Sequence, residues 1–342
     1  MTGTSLNAKP LILLDTKPQP TGRIFTTSAD AALHREFDVR DVGDDPGAFD
    51  ELLPKAFAIV GQSSLPRSRL LRAVKLRAIM NVEGNFYPNV DYPTAFSRGV
   101  RVLGCGPAYA QPVAEFALGL ALDLARGISH GDRAFREGRE RYLGEGNADS
   151  VMLSHADVGL IGYGNIGRAL HTLLSAFRAQ VRVYDPWLPP ATLRQAGLES
   201  VGLNELLKIS EFVFVLAAAT ESNQQLLDND RLGHVRQGAR VIFVSRAAMV
   251  DYEALVEHVA TGHFLAAVDV WPEEPVPAEH IARHTEGFVL SAHRAGGIPS
   301  AFYEIGDMVL DDLRLLANGL PPVRMQSAAP ELVGRYRSKP TG

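Results

Sequence analysis

The chain has 342 residues, enough for about two domains that each bury a hydrophobic core. Hydrophobic residues make up 46% of it and charged residues 21%, which is typical of globular proteins and excludes a disordered or fibrous chain. The net charge is -5 and no long block of one charge is present, which argues against nucleic acid as a partner.

The cysteine content and the hydropathy of the chain indicate the cellular compartment in which the protein is expected. The single cysteine, Cys105, excludes an internal disulfide, and the first residues show no signal peptide. The most apolar segments, residues 113–125 and 212–219, are too short for a helix of about 20 apolar residues that would span a membrane. We therefore expect a cytoplasmic protein with no membrane association.

In the first third of the chain, short aliphatic runs alternate with helical patterns. This alternation is typical of an α/β fold, in which helices cover a parallel sheet. The predicted strands are residues 11–15, 57–61, 78–81 and 100–103, and the predicted helices include residues 68–74 and 91–98.

A helix that is apolar on nearly every side is predicted over residues 113–125. Pro112 is suited to its first position, and Glu115 to the positive end of the helix dipole. Such a helix is buried on all sides, either between domains or at a subunit interface. The polar segment that follows, residues 129–154, is expected to be a connector without chemistry of its own.

A second α/β unit begins near Ala156. The last predicted helix, residues 301–318, stops at Gly319 with Pro321 just beyond it. The polar tail after Met325 is expected to be frayed. The predicted strands of this unit are residues 158–162, 181–185, 212–216, 240–244, 265–270 and 287–290.

Gly162, Gly164 and Gly167 form the pattern G-x-G-x-x-G between a predicted strand and a predicted helix. The next strand ends at Asp185, 18 residues after the last glycine, which completes the context that the dinucleotide-binding fingerprint requires. Asp185 would accept hydrogen bonds from the ribose hydroxyls and repel a 2′-phosphate, so NAD is favoured over NADP. The alternative is a glycine turn that only joins strand to helix.

In this pattern each glycine has a physical task. Gly162 permits the tight turn, Gly164 lets a pyrophosphate approach the backbone, and Gly167 lets the helix pack closely on the strand. The amides and the dipole at the helix N-terminus attract the phosphates.

Polar residues follow three later strands of the second unit. Ser245 and Arg246 follow the first of these strands, Asp269 to Glu274 follow the second, and His293 follows the third. In an open α/β sheet the ligand crevice lies outside the carboxyl ends of the strands, so all three groups are expected at one edge. A cation and an acid/base are what a nicotinamide enzyme needs besides its cofactor.

With these motifs in this order, residues 76–322 resemble the D-isomer-specific 2-hydroxyacid dehydrogenase family. The motifs are the glycine fingerprint, the segments 245–251 (SRAAMVD) and 268–275 (VDVWPEEP), and Ser-Ala-His at 291–293. The resemblance implies a Rossmann-type nucleotide domain, residues 107–300, inserted in a smaller flavodoxin-like α/β substrate domain, residues 1–106 and 301–342. It also implies a homodimer.

The resemblance implies a catalytic set of Arg246, Glu274 and His293. His293 would protonate the carbonyl oxygen of a 2-oxo acid, Glu274 would favour the imidazolium form and orient the ring, and Arg246 would grip the substrate carboxylate. Asp269 would hold the nicotinamide carboxamide. The full set of expected NAD-binding residues is Gly162, Tyr163, Gly164, Asn165, Ile166, Gly167, Asp185, Thr220, Ser245 and Asp269.

The chain departs from the family pattern in the loop that follows residue 81. Relatives carry a short glycine loop whose amides bind the substrate carboxylate, and here those amides would come from Val82, Glu83 and Gly84. Glu83 would repel that carboxylate unless it points away or pairs with a cation. Asn85, Phe86 and Tyr87 either shape the pocket or only pack.

Two further departures concern the loops around the expected site. Ala247 stands where relatives have Gly, which predicts strain if a positive φ is needed there. Gln62 stands where phosphoglycerate-using relatives have Arg, which weakens the case for a phosphorylated substrate.

The sequence thus predicts an NAD-dependent enzyme that interconverts a 2-oxo acid and a 2-hydroxy acid, with hydroxypyruvate or glyoxylate as the favoured kind of substrate. Alternatives are an NADH-sensing protein that acts through partners, like the C-terminal-binding-protein corepressors, and a formate- or phosphite-type dehydrogenase. Formate enzymes carry Gln at the position of Glu274, which disfavours that version. Cys105 is interpreted as a packing residue, and the histidines show no metal-ligand spacing.

Overall fold

The computed structural model describes residues 9–84, 86–220 and 223–333, apart from the side chain of Leu332. Its chain divides into two compact units. The described residues up to Tyr109, together with those from Gly297 onward, form one unit, which we call the terminal unit. Ala110–Gly296 form the other, the central unit.

The terminal unit is built on a six-stranded sheet with the order β13-β5-β4-β3-β1-β2. Strands β1 to β5 are parallel, whereas β13 pairs with β5 in the antiparallel sense. The order 2-1-3-4-5 is that of flavodoxin-like folds, which confirms the predicted fold class. The strands are β1 (Leu11–Asp15), β2 (Asp38–Asp41), β3 (Ala58–Gly61), β4 (Ala78–Asn81), β5 (Arg101–Gly104) and β13 (Gln326–Ser327).

Helices cover both faces of this sheet, so its inner strands are largely apolar and buried. Successive residues of β1 point to opposite faces: Ile12 and Leu14 enter one hydrophobic cluster, and Leu13 enters the other. The helices are α1 (Thr21–Ile24), α2 (Thr27–Glu36), α3 (Pro46–Leu52), α4 (Arg67–Arg72), α5 (Tyr92–Ser97), α14 (Pro299–Ala317) and α15 (Pro330–Val333).

Two parts of the terminal unit differ from the sequence prediction. The sequence DVRD at β2 was not predicted as a strand, because its polar residues occupy a sheet edge where two of the four are exposed. The segment after Met325 was predicted to be frayed, and this is wrong as far as Val333. In that segment β13 pairs with β5, and α15 packs against α5.

Asp312, on α14, anchors the segment that leads to β13. Its carboxylate is fully buried and accepts hydrogen bonds from the amides of Val323 (2.8 Å), Arg324 (3.0 Å) and Met325 (2.7 Å). A single side chain thus accepts hydrogen bonds from three consecutive backbone amides.

We expect Asp312→Ala to lower the free energy of unfolding by about 2 kcal/mol, because the hydrogen bond from the amide of Met325 is buried and a buried donor left unpaired costs roughly 1–3 kcal/mol. Urea denaturation followed by circular dichroism measures the change, with Glu51→Ala as the control because Glu51 is exposed. A loss for Asp312→Ala no larger than that of the control would contradict the anchoring role.

The central unit is built on a seven-stranded sheet with the order β12-β11-β10-β9-β6-β7-β8, in which every pair is parallel. This is the Rossmann arrangement, with β6 and β9 at the point where the strand order reverses. The strands are β6 (Asp157–Ile161), β7 (Gln180–Tyr184), β8 (Glu199–Ser200), β9 (Phe212–Val215), β10 (Arg240–Phe243), β11 (Leu265–Val268) and β12 (Phe288–Leu290).

The helices of the central unit include α6, which was predicted to begin near Pro112 and to be buried on all sides. It begins at Ala110, and its buried face packs against α9, while Glu115 and Gly119 are exposed. The helices are α6 (Ala110–Arg126), α7 (Ile128–Arg136), α8 (Leu143–Gly146), α9 (Asn165–Ser175), α10 (Pro190–Gln195), α11 (Leu203–Ile209), α12 (Asn229–Gly233) and α13 (Tyr252–Ala260).

Candidate active site

The three fingerprint glycines lie in the turn between β6 and α9. Gly162 has a φ of +98°, and a Cβ there would lie 2.7 Å from the backbone of Ala217. A Cβ on Gly167 would lie 2.6 Å from the carbonyl oxygen of Gly162. Gly164 has open space around it. Two of the glycines therefore allow the backbone to pack closely, and the third leaves the backbone accessible to a phosphate.

Asp185, directly after β7, supports this turn. One carboxylate oxygen accepts a hydrogen bond from the amide of Tyr163 at 2.9 Å, and the other accepts from the amide of Trp187 at 3.0 Å. Each carboxylate oxygen has a second lone pair, so the group can still accept from ribose hydroxyls. The side chain of Tyr163 is buried, its hydroxyl lies 3.0 Å from Nδ1 of His171, and Arg168 lies over its ring.

The other expected cofactor residues follow β9 and β10 or begin α9. Ser245 is buried, and its hydroxyl donates to the carbonyl oxygen of Ala217, which links the ends of these two strands. Thr220 is also buried, and its amide donates to the side chain of Asn223 at 2.7 Å. Asn165 and Ile166 form the first turn of α9. All of these residues lie at the carboxyl edge of the central sheet.

His293 and Glu274 form a hydrogen-bonded pair. Nδ1 of His293 lies 2.8 Å from Oε2 of Glu274, and the other carboxylate oxygen accepts from the amide of Trp271 at 3.0 Å. The two side chains are 38% and 35% exposed, so the pair is accessible at its surface. Because Glu274 occupies Nδ1, the ring is oriented and Nε2 is the nitrogen that can exchange a proton with a ligand.

The backbone at His293 has a φ of +52°, a left-handed conformation that is uncommon for residues other than glycine. Asp269, buried at the end of β11, stabilises this turn. Its carbonyl oxygen accepts from the amide of His293 at 2.7 Å, and its carboxylate oxygens accept from the amides of Arg294 (2.8 Å) and Ala295 (3.1 Å). The sequence indicated only a cofactor role for Asp269 and carried no signal for this structural one.

Arg246 lies three residues beyond β10, and its guanidinium is exposed. Nη1 donates to the carbonyl oxygen of Ser245 at 2.9 Å. Because β10, β11 and β12 are adjacent and parallel, Arg246, Asp269 and His293 share one edge of the sheet. The prediction of backbone strain at Ala247 is wrong, because Ala247 begins a 3-10 turn (Ala247–Met249) and has no positive φ.

In the terminal unit, the loop after β4 uses its amides internally. Gln62, with its amide oriented to satisfy both groups, accepts from the amides of Val82 (2.7 Å) and Glu83 (3.0 Å). The amide of Gly84 lies 2.9 Å from Sγ of Cys105. Glu83 is half-buried, and burial raises the pKa of its carboxyl group, whereas the Gln19 side chain lowers it.

The aromatic residues of this loop differ in their environment. Phe86 is 3% exposed and belongs to a core cluster, as the packing interpretation expects. The hydroxyl of Tyr87 donates to the carbonyl oxygen of Glu83 at 2.7 Å. Asn85, the third residue considered for a pocket, lies outside the described residues.

Cys105 is fully buried, and burial raises the pKa of its thiol to about 12. We expect the native protein to react with 5,5′-dithiobis(2-nitrobenzoate) at less than about 1% of the rate of the urea-unfolded chain, because the thiolate is the reactive form. Absorbance at 412 nm measures the reaction. Rapid labelling of the native protein would show that the thiol is accessible.

Among residues 9–84, 86–220 and 223–333, no group of three or more His, Cys, Asp or Glu side chains could hold a metal ion. Within the same ranges, none of the helices combines the length and the hydrophobicity needed to cross a bilayer.

Comparison with known proteins gives a consistent result. The family model described as D-isomer specific 2-hydroxyacid dehydrogenase, NAD binding domain, matches residues 118–295. A hydroxypyruvate reductase from Thermotoga maritima is 31% identical over 236 residues, which are 68% of this chain and 74% of that protein. A D-3-phosphoglycerate dehydrogenase from Mycobacterium tuberculosis is 29% identical over 91% of this chain, which spans just over half (57%) of that relative.

A solved structure gives the same indication. The crystal structure of a phosphoglycerate oxidoreductase from Rhizobium etli superposes with a TM-score of 0.86 and is 42% identical. The match covers 94% of this chain and 99% of that one. These similarities confirm the family resemblance, the two-domain α/β fold class and the NAD-binding domain.

Proposed function

Since the chain belongs to the D-isomer specific 2-hydroxyacid dehydrogenase family, we propose that it is an NAD(H)-dependent oxidoreductase that interconverts a 2-oxo acid and a 2-hydroxy acid. The observation that carries the proposal is the 2.8 Å pair of His293 and Glu274 at the sheet edge that also bears the fingerprint turn. The favoured substrates are of the hydroxypyruvate or glyoxylate kind.

In the proposed reaction, His293 is the general acid and base. NADH, when bound, supplies a hydride to C2 of the 2-oxo acid. Nε2 of the imidazolium gives its proton to the carbonyl oxygen, so that the C=O group becomes a CH–OH group; in the oxidative direction the neutral ring takes that proton back. Glu274 stabilises the imidazolium through Nδ1, and Asp269 is a positioning residue that maintains the turn of His293.

Arg246 is the proposed ligand of the substrate carboxylate. Its exposed guanidinium can donate two parallel hydrogen bonds to a carboxylate, which both neutralises the charge and fixes the plane of the substrate. The overall charge of the protein is negative, so local positive features must attract an anionic substrate and an anionic cofactor.

The proposed cofactor contacts follow from the geometry of the fingerprint turn. Gly164 and the first turn of α9, with Asn165 and Ile166, face the pyrophosphate, and Asp185 binds the ribose hydroxyls. Tyr163, Thr220, Ser245 and Asp269 are proposed to bound the rest of the cofactor site.

Asp185→Asn tests the preference for NAD. We expect the ratio of kcat/KM for NADPH to kcat/KM for NADH to rise about 10- to 100-fold, because the variant loses a charge that accepts from the ribose and repels a phosphate. Steady-state kinetics with both cofactors measures the ratio. An unchanged ratio would show that Asp185 does not contact the cofactor.

The proposed function is tested by mixing the purified protein with NADH and glyoxylate, hydroxypyruvate, pyruvate or phenylpyruvate. Absorbance at 340 nm reports cofactor oxidation. We expect at least one of the four acids to be reduced. The proposal would be refuted if, for all four acids, the wild type oxidised NADH no faster than a His293 variant.

A homodimer and a cytoplasmic location are further parts of the proposal. Light scattering at micromolar concentration tests the homodimer.

A further inference from the structure

We infer that Trp271 is a positioning residue for the proposed general acid, because it keeps Glu274 in contact with His293. Trp271 lies three residues beyond β11, in the same loop as Glu274, and its hydrogen-bond partners belong to the central unit. Its effect on catalysis rests on the proposed function, whereas its effect on the hydrogen-bonded pair can be measured without turnover.

Trp271 donates hydrogen bonds to both loops that form the pair. Its backbone amide donates to Oε1 of Glu274 at 3.0 Å, which leaves Oε2 to contact Nδ1 of His293 at 2.8 Å. Its indole Nε1 donates to the carbonyl oxygen of Ser291 at 2.8 Å, two residues before His293. One residue therefore links the loop after β11 to the loop after β12.

The indole ring of Trp271 has a fixed orientation. Trp271 is buried, and its ring lies 5.9 Å from the ring of Tyr252 and 5.6 Å from that of His280, measured between centroids. The hydroxyl of Tyr252 donates to the carbonyl oxygen of Val270, which holds Tyr252 in place. Because the ring packs on these neighbours, its N–H group points at the Ser291 carbonyl with a defined geometry.

The Glu274 carboxylate depends on Trp271 for its orientation. Within the described ranges, its hydrogen-bond partners are the amide of Trp271 and the ring of His293. Both members of the pair are partly exposed, so water competes for the bond between them. If the Trp271 backbone moves, the carboxylate loses the contact that selects its rotamer, and a smaller fraction of the molecules keeps the bond to His293.

The indole bond also fixes the part of the His293 loop that the carboxylate of Asp269 does not reach. That carboxylate accepts from two amides after His293. Ser291 lies before His293, where its amide donates to the carbonyl oxygen of Val268 at 2.9 Å and its carbonyl oxygen accepts from the indole. The loop is therefore held on both sides of the imidazole.

Trp271→Phe tests this role, because it keeps an aromatic ring and removes the indole N–H donor. The readout is the tautomer of the neutral His293 ring, observed through two-bond ¹H–¹⁵N correlations of its carbon-bound protons and assigned with His293→Asn. Since Nδ1–H is the donor to Glu274, the wild type should hold mainly this tautomer. In Trp271→Phe the ratio of the Nδ1–H to the Nε2–H tautomer should fall about 3- to 10-fold, the range for one lost hydrogen bond.

The kinetic expectation is a lower kcat with little change in KM. In Trp271→Phe, kcat for a 2-oxo acid that the wild type reduces should fall about 10-fold, because a displaced general acid transfers its proton less efficiently. KM for that acid and for NADH should stay within about 3-fold of the wild type, since the indole is proposed to bind neither of them.

Tyr252→Phe is a second and milder variant, which serves if Trp271→Phe does not fold. It removes the hydrogen bond to Val270 and leaves the indole in place, so the tautomer ratio should fall about 2- to 5-fold. The matched control is Phe264→Leu, at a buried aromatic residue that directly precedes β11, at the opposite end of that strand. It should lower the free energy of unfolding but leave the ratio and kcat within about 2-fold of the wild type.

An unchanged tautomer ratio in a folded Trp271→Phe variant, or an equal change in Phe264→Leu, would overturn the inference. The proposed function can fail separately. If no acid is reduced by the wild type and the ratio falls in Trp271→Phe, the proposed reaction fails and the hold of Trp271 on the pair stands. If acids are reduced and neither the ratio nor kcat changes in Trp271→Phe, only the inference fails.

Discussion

His293→Asn is expected to lower kcat for 2-oxo acid reduction about 10²- to 10⁴-fold, the usual contribution of a positioned general acid. Asn is the appropriate replacement because it cannot donate the proton but does adopt the left-handed backbone that position 293 has, with a φ of +52°. The hydrogen bonds from the turn to Asp269 should therefore persist. Steady-state kinetics at saturating NADH and substrate measures the loss.

His284→Asn is the matched control for this experiment, because His284 is exposed and belongs to the same unit. It should keep the wild-type kcat within about 2-fold, as surface substitutions remote from a site usually do. If His293→Asn retained more than about a tenth of the wild-type kcat, His293 would not be the general acid.

Arg246→Ala is expected to lower kcat/KM for the 2-oxo acid about 10²- to 10⁴-fold, because two hydrogen bonds from a charged group are lost, each contributing roughly 1.5–3 kcal/mol. Arg246→Lys should recover only part of this, since an ammonium cannot donate two parallel bonds. Arg194→Ala, at an exposed position of the same unit, is the control. A partial recovery in the Lys variant would support a carboxylate that is bound by two parallel hydrogen bonds, and no loss in either variant would exclude it.

The core of both sheets could be predicted from sequence because it depends on local signals. Strands such as β3, β4 and β10 are buried along their whole length, so they stand out as short aliphatic runs between helical patterns. The edge strand β2 carries no such signal, since three of its four residues are charged. The two-residue strand β13 is defined only by its pairing with β5.

The glycine fingerprint could be recognised for the same reason: its three glycines, the strand before them and the helix after them are contiguous. Contacts between distant residues could not be predicted. Asp269 supports a turn whose amides lie 25 and 26 residues further on, and no pattern of neighbours indicates this. The partners of the loop amides, Gln62 and Cys105, also become apparent only when β3, β4 and β5 lie side by side.

The central claim is that this protein moves a hydride between NADH and C2 of a 2-oxo acid at the site that contains His293. The most direct measurement is to supply NADH that carries deuterium at both hydrogen positions of C4 of the nicotinamide together with hydroxypyruvate, and to analyse the product by mass spectrometry and chiral chromatography. We predict glycerate with one deuterium at C2, in the D configuration that the family description implies. Glycerate without deuterium or glycerate of the L configuration would contradict the account, and no glycerate at all would contradict hydroxypyruvate as the favoured substrate.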